Sequence, residues 1–119
     1  MKLNEYQEQA KTFARYKNPE YAFDNLASEV GEVMGKLAKV KRGDKDGHGL
    51  INNPSEDPIC YLAEYDPDPI LKEMGDVLWQ LSACCNELGV TLEDIAVGNL
   101  KKLQSRADRD KLSGEGDDR

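Results

Sequence analysis

Two pairs of carboxylates, Glu29-x-x-Glu32 and Glu73-x-x-Asp76, constrain this chain more than any other feature. A spacing of three puts both members of a pair on one helical face, about one turn apart. Like charges that close weaken an isolated helix. The flanking residues are apolar at three- and four-residue spacing, so all four carboxylates stand at the margin of a face that must be buried. Carboxylates held there need a compensating cation. Four converging oxygen donors suit a hard divalent ion, magnesium or manganese. The competing reading is that they are ordinary solvated acidic faces.

Apolar residues at helical spacing recur through most of the chain. Leu3, Tyr6, Ala10 and Phe13 predict a first helix from about Asn4 to Tyr16. Asn18 then caps, and Pro19 opens, a second helix reaching about Arg42, with Leu26, Val30, Val33, Leu37 and Val40 as its stripe. Gly31 and Gly35 inside it each cost about 1 kcal/mol relative to alanine; close approach by another helix or a ligand would account for them. Asp68-Pro69 opens a third helix with the stripe Ile70, Met74, Val77, Leu81, Cys84 and Leu88, stopped at Gly89. Thr91 to Asp94 resembles a capping box with Asp in place of Glu, and a fourth helix carries Leu92, Ala96, Leu100, Leu103 and Ala107. Between helices two and three the pattern fails, and proline, glycine and aspartate predict a loop over residues 43–69. Ile59, Cys60, Tyr61, Leu62 and Tyr65 would dock part of it. No strand pattern and no internal repeat is visible. The expectation is one all-α domain over residues 1–110, of the four-helix-bundle type, with a flexible tail at 111–119.

Charge and cysteine usage narrow the partners. A formal charge of −7, from 23 acidic and 16 basic residues, argues against a nucleic acid polymer or an anionic membrane. A nucleotide remains open, because a local cluster of lysine, arginine and metal can meet its phosphates. No apolar run approaches a membrane span, and the N-terminus lacks the apolar core of a secretory signal. Three cysteines with no paired framework point to a reducing, cytoplasmic setting. Cys60, Cys84, Cys85 and His48 lack zinc-ligand spacing. The adjacent Cys84 and Cys85 lie in an apolar stripe and read as buried, inert thiols; His48 reads as an exposed loop residue.

Several residues beside the apolar stripes could carry chemistry. Asn25, Glu29, Glu32 and Lys36 share one stripe of the second helix, and Glu73, Asp76 and Gln80 flank the core face of the third. Packing the two apolar faces together would set these margins opposite one another, the geometry of metal sites built between bundle helices. Asn99, Lys102 and Arg106 form a row on the fourth helix that suits a phosphate clamp, or a solvated basic face near a helix C-terminus. Trp79 lies off its helix's apolar centre near Asp76, placed to stack on a base or to enter a subunit interface. Leu71, Leu78 and Cys85, with Trp79 beyond, spread apolar surface round much of the third helix. That predicts a homo-oligomer pairing through the second or third helices.

With these residues assembled, the chain resembles the MazG-like all-α nucleoside triphosphate pyrophosphohydrolases. The likeness rests on Leu26-Ala-Ser-Glu-Val-Gly-Glu-Val33, Glu73-Met-Gly-Asp-Val-Leu-Trp79 and Asn99-Leu-Lys-Lys-Leu-Gln-Ser-Arg106, with a similar ending in Gly114-Glu-Gly-Asp-Asp-Arg119. The spacing between the two acidic motifs is longer here than in typical members. The resemblance implies cleavage of an NTP or dNTP between the α- and β-phosphates. It implies Glu29, Glu32, Glu73 and Asp76 as the magnesium ligands and catalytic set. Asn99, Lys102 and Arg106 map onto the polyphosphate-binding helix, with Asn25, Lys36 and Trp79 as further candidates for substrate contact. It also implies a homodimer or homotetramer that completes the bundle. The competing functions are a dUTP-specific diphosphatase on the same carboxylate scaffold and a non-catalytic helical module with a structural cation. A di-iron protein would need a Glu-x-x-His motif that is missing.

Overall fold

Local bonds at the helix ends set several of the boundaries. A computed structural model of the chain describes residues 1–42, 68–111 and 113, and among these it is all-helical: α1 (Leu3–Lys11), α2 (Glu20–Arg42), α3 (Asp68–Leu88) and α4 (Leu92–Asp108). The expected docking of residues 59–65, the exposure of His48 and most of the tail lie outside the described residues. Among the described residues no helix is long and apolar enough to cross a membrane.

Asn18 caps α2 as expected, its Oδ1 accepting the Glu20 amide at 2.9 Å. Gly89 ends α3 with φ +68°. Its amide donates to Asn86 O at 3.2 Å and that of Val90 to Cys85 O at 3.0 Å, the paired bonds of a glycine-terminated helix. Thr91 and Asp94 form the reciprocal box, with Asp94 N to Thr91 Oγ1 and Thr91 N to Asp94 Oδ2 both at 3.0 Å. Those bonds favour the ionised carboxylate and hold Asp94 below its usual range.

The first helix is shorter than its apolar spacing predicts, ending at Lys11 rather than near Tyr16. The reason is local competition for carbonyls. Thr12 Oγ1 donates to Gln9 O at 2.7 Å, and Arg15 Nη1 to Thr12 O at 2.8 Å and Ala14 O at 3.0 Å. Side chains that bond nearby backbone oxygens offer an alternative to the next helical turn.

Helices α2 and α3 run antiparallel. Ala22 lies by Cys84, Asn25 by Gln80, and Lys36 by Glu73, so residue numbers rise along one helix as they fall along the other. The core sits at one end of this pair, where Ala22, Ala83 and Cys84 are buried with Tyr16 and Leu26 against them. Here α1 covers the C-terminal half of α3: Trp79 Nε1 donates to Ala10 O at 3.2 Å and Tyr16 Oη to Glu87 Oε1 at 2.8 Å. Burial, then that hydrogen bond, pushes the Tyr16 phenol up to about 12. Cys84 and Cys85 are buried free thiols whose burial raises them, which keeps them protonated and inert as expected.

The core stripes therefore need correction. Met74 and Leu88 of α3 are 52% and 65% exposed, while Gln80, Ser82, Ala83, Cys84 and Cys85 are buried. On α4 Leu92 in the first turn and Arg106 near the end are buried, while Leu100 and Leu103 lie open. Gly31 and Gly35 have no described atom within 4 Å of a side chain added there, so no close approach among the described residues explains them.

Gln7, only 5% exposed, ties three elements together. Its Nε2 donates to Asn86 Oδ1 at 2.8 Å and Val90 O at 3.0 Å, and its Oε1 accepts the Leu92 amide at 2.7 Å. Asn4 Oδ1 takes the next amide, Glu93, at 3.3 Å. With Thr91 on Asp94, three of the unpaired donors that open α4 are satisfied. Gln7→Leu leaves the Leu92 amide and Val90 carbonyl buried without this partner. Denaturant unfolding is expected to show a loss of about 2 kcal/mol or more; a change within about 0.5 kcal/mol, typical of neutral surface sites, would show that the amide is not the clamp.

Candidate metal centre

The antiparallel register of α2 and α3 brings acidic residues from separate motifs into one cluster. Glu29, Glu73 and Asp76 each offer a carboxylate oxygen, and these oxygens lie within 4.8 Å of one another. Glu29 and Glu73 are half-buried and Asp76 is exposed. At such separations each pair repels by about 1 kcal/mol under bulk-water screening and about 3.5 kcal/mol at the effective dielectric of a protein surface. The fold holds this repulsion in place.

The donor set fits a hard divalent cation. Two oxygens bound to one magnesium, each at 2.0–2.1 Å, stand at most about 4.2 Å apart. A small side-chain contraction would bring the three onto one ion. Glu32, one turn beyond Glu29, is exposed and outside this cluster. Its carboxylate would have to turn inward to join.

Other candidates are placed as follows. Lys36 Nζ lies 3.5 Å from Glu73 Oε1, so an ammonium already offsets part of the cluster's charge. Asn25 donates from Nδ2 to Glu29 Oε1 at 2.8 Å and to Gln80 Oε1 at 3.2 Å, which commits its amide hydrogens to protein partners. Trp79 packs by its indole N–H on α1 and lines a cleft of about 440 Å³ with Phe13, Arg15, Tyr16, Lys17 and Tyr21. The Tyr16 and Tyr21 rings are 5.4 Å apart at 32°. On α4, Asn99 and Lys102 are exposed but Arg106 is 6% exposed, so the three do not form one solvated row. Helix α4 packs on α1 and carries this row beyond its docked first turn.

Sequence reasoning missed the place of Tyr6 near the cluster and the full burial of Gln80. Tyr6, read as core, has its phenol raised by burial and then by the Asp76 charge, which places it beside the acidic group. Gln80, read as a flanking residue, has no exposed surface. Its position four residues after Asp76 and seven after Glu73 was the available signal, since that spacing keeps it on their stripe.

The MazG nucleotide pyrophosphohydrolase domain matches residues 17–109, which includes all four acidic residues and α4. The chain is also similar to the Gene 37 protein of Mycobacterium phage L5, at 35% identity over 99 residues, 83% of this chain and 75% of that protein. No solved structure matches. The chain belongs to the MazG nucleotide pyrophosphohydrolase family.

Proposed function

We propose that the chain is a magnesium-dependent nucleoside triphosphate pyrophosphohydrolase of the cytosol, releasing pyrophosphate and a nucleoside monophosphate. The observation that carries this reading is the convergence of Glu29, Glu73 and Asp76 on facing helices in a chain of this family. Glu29, Glu73 and Asp76, with Glu32 after a side-chain rotation, would hold magnesium, or manganese in its place. When bound, the ion supplies charge neutralisation at phosphorus and a template for an attacking water. A glutamate left partly free of the metal would take the water's proton. Lys36 is within reach of the same site for a phosphate oxygen. Lys102 and Arg106, with Asn99, would meet the outer phosphates from α4 of the same or a neighbouring subunit.

The aromatic cleft supports a site for the base. Tyr21, Asn25 and Glu29 follow one another at four-residue spacing along α2, and Asp76 is three residues before Trp79 on α3. The cleft thus lies roughly one to two helical turns, about 5–11 Å, from the cluster. Half of the chain's aromatic residues line it, and a planar base stacks on such rings with about 1–3 kcal/mol of stabilisation.

A panel of the eight common NTPs and dNTPs, with products identified, tests the activity. Magnesium-dependent release of pyrophosphate is expected from the wild type, with at least a hundredfold loss in Asp76→Asn while its helical circular dichroism is retained. Release confined to dUTP would favour the uracil-specific alternative; no turnover of any nucleotide would leave the non-catalytic module.

Assembly follows from the uncovered apolar surface. Val30 and Met34 on α2, and Leu71, Met74 and Leu78 on α3, are exposed at three- and four-residue spacing, a pattern that marks an interaction face. A second copy covering it would also use the open surface at Gly31 and Gly35. Sedimentation equilibrium at micromolar concentration is expected to show a dimer or tetramer of the 13.3 kDa chain, and Met74→Lys a shift to monomer. A wild-type monomer that still turns over nucleotide would refute the shared bundle but not the chemistry.

A further inference from the structure

Gln80 is a large polar side chain with no solvent exposure at the buried end of the α2–α3 contact. Its amide has one orientation open to it. Nε2 donates to the Ala22 carbonyl at 3.1 Å, so Oε1 is the end that faces Asn25 and accepts its Nδ2 at 3.2 Å. Asn25 Nδ2 gives its other hydrogen to Glu29 Oε1 at 2.8 Å. Turning the Asn25 amide over would set its oxygen against two acceptor oxygens at once, Gln80 Oε1 and Glu29 Oε1. The Ala22 carbonyl therefore fixes Gln80, Gln80 fixes Asn25, and Asn25 fixes one oxygen of Glu29.

We propose that Gln80 is a positioning residue for the cation site, acting through Asn25 to hold the Glu29 carboxylate so that its other oxygen faces Glu73 and Asp76. This rests on the reading of the three carboxylates as a divalent-cation site. The choice of an amide has a physical consequence. A neutral donor fixes the carboxylate's rotamer without cancelling its charge, whereas an ammonium in the same place would compete with the ion, as Lys36 does at Glu73. Gln80 cannot itself touch substrate or metal, since it is fully enclosed. Hydrogen-bond partners of metal ligands typically change affinity by about 10–100-fold when removed.

Manganese titration followed by electron paramagnetic resonance, without nucleotide, tests this in wild type, Gln80→Met, Asn25→Ala and the double variant. Methionine keeps the length of the side chain without its amide, and Cys84 Sγ still donates to Ala22 O at 3.1 Å. Each single variant is expected to bind manganese about tenfold or more weakly, and the double variant no more weakly than Asn25→Ala alone. A merely structural Gln80 would lower affinity by the same factor in both backgrounds, and that additivity would overturn the proposal. Wild-type affinity in Gln80→Met would do the same. Asn25→Ala sits at a half-buried helical position and remains decisive even if Gln80→Met does not fold: unchanged manganese affinity there refutes the relay. Failure of the wild type to bind manganese would overturn the cation site itself, and the relay with it.

Discussion

The antiparallel contact between α2 and α3 is the constraint on which the rest depends. Ala22 and Ala83 are small enough to bring the backbones together, and the Ala22 carbonyl receives donors from both Gln80 and Cys84 across the contact. That pins the register. Asn25 meets Gln80, Glu29 meets Glu73 and Asp76, and Lys36 meets Glu73. A slip of one turn would move Glu29 by about 5.4 Å along its neighbour, far enough to take it out of reach of an ion held by the other two. A few polar bonds at the buried end of the pair thus hold the acidic end in place.

The same arrangement explains why the helix pair is half core and half open. Helix α1 is anchored to α3 through Trp79 and Asn86, with Tyr16 just beyond it bonding Glu87, and to the start of α4 through Gln7 and Asn4. All of these contacts lie toward the C-terminal half of α3. Leu71, Met74 and Leu78, toward the other end of α3, remain exposed near the carboxylates.

The helices and their ends were legible in the sequence because their signals are local. Asn18, Gly89 and the Thr91–Asp94 box act on backbone within three residues, and each does what its chemistry predicts. Of the four carboxylates expected to converge from the edges of two apolar stripes, Glu29, Glu73 and Asp76 do, and Glu32 stands apart because its side chain faces solvent. Burial along each helix was not legible. Met74 and Leu100 repeat at core spacing yet lie open, because spacing says which residues share a face but not which neighbour covers it. Gln80 and Arg106 are buried against type for the same reason. The end of α1 escaped too: Phe13 continues the apolar period, but Thr12 and Arg15 take the carbonyls that another turn would need.

The central claim is that the fold holds Glu29, Glu73 and Asp76 together against their own repulsion until a divalent cation relieves it. Thermal melting in EDTA and across a magnesium series measures this most directly, in the wild type and in Glu73→Gln. A ligand that binds only the folded state raises stability by about 2.7 kcal/mol at a hundred times its dissociation constant, so the wild-type midpoint is predicted to climb with magnesium. Glu73→Gln, which removes one of the three carboxylates together with the Lys36 ion pair, is predicted to respond far less to the metal. A wild-type midpoint indifferent to millimolar magnesium and manganese would contradict the account.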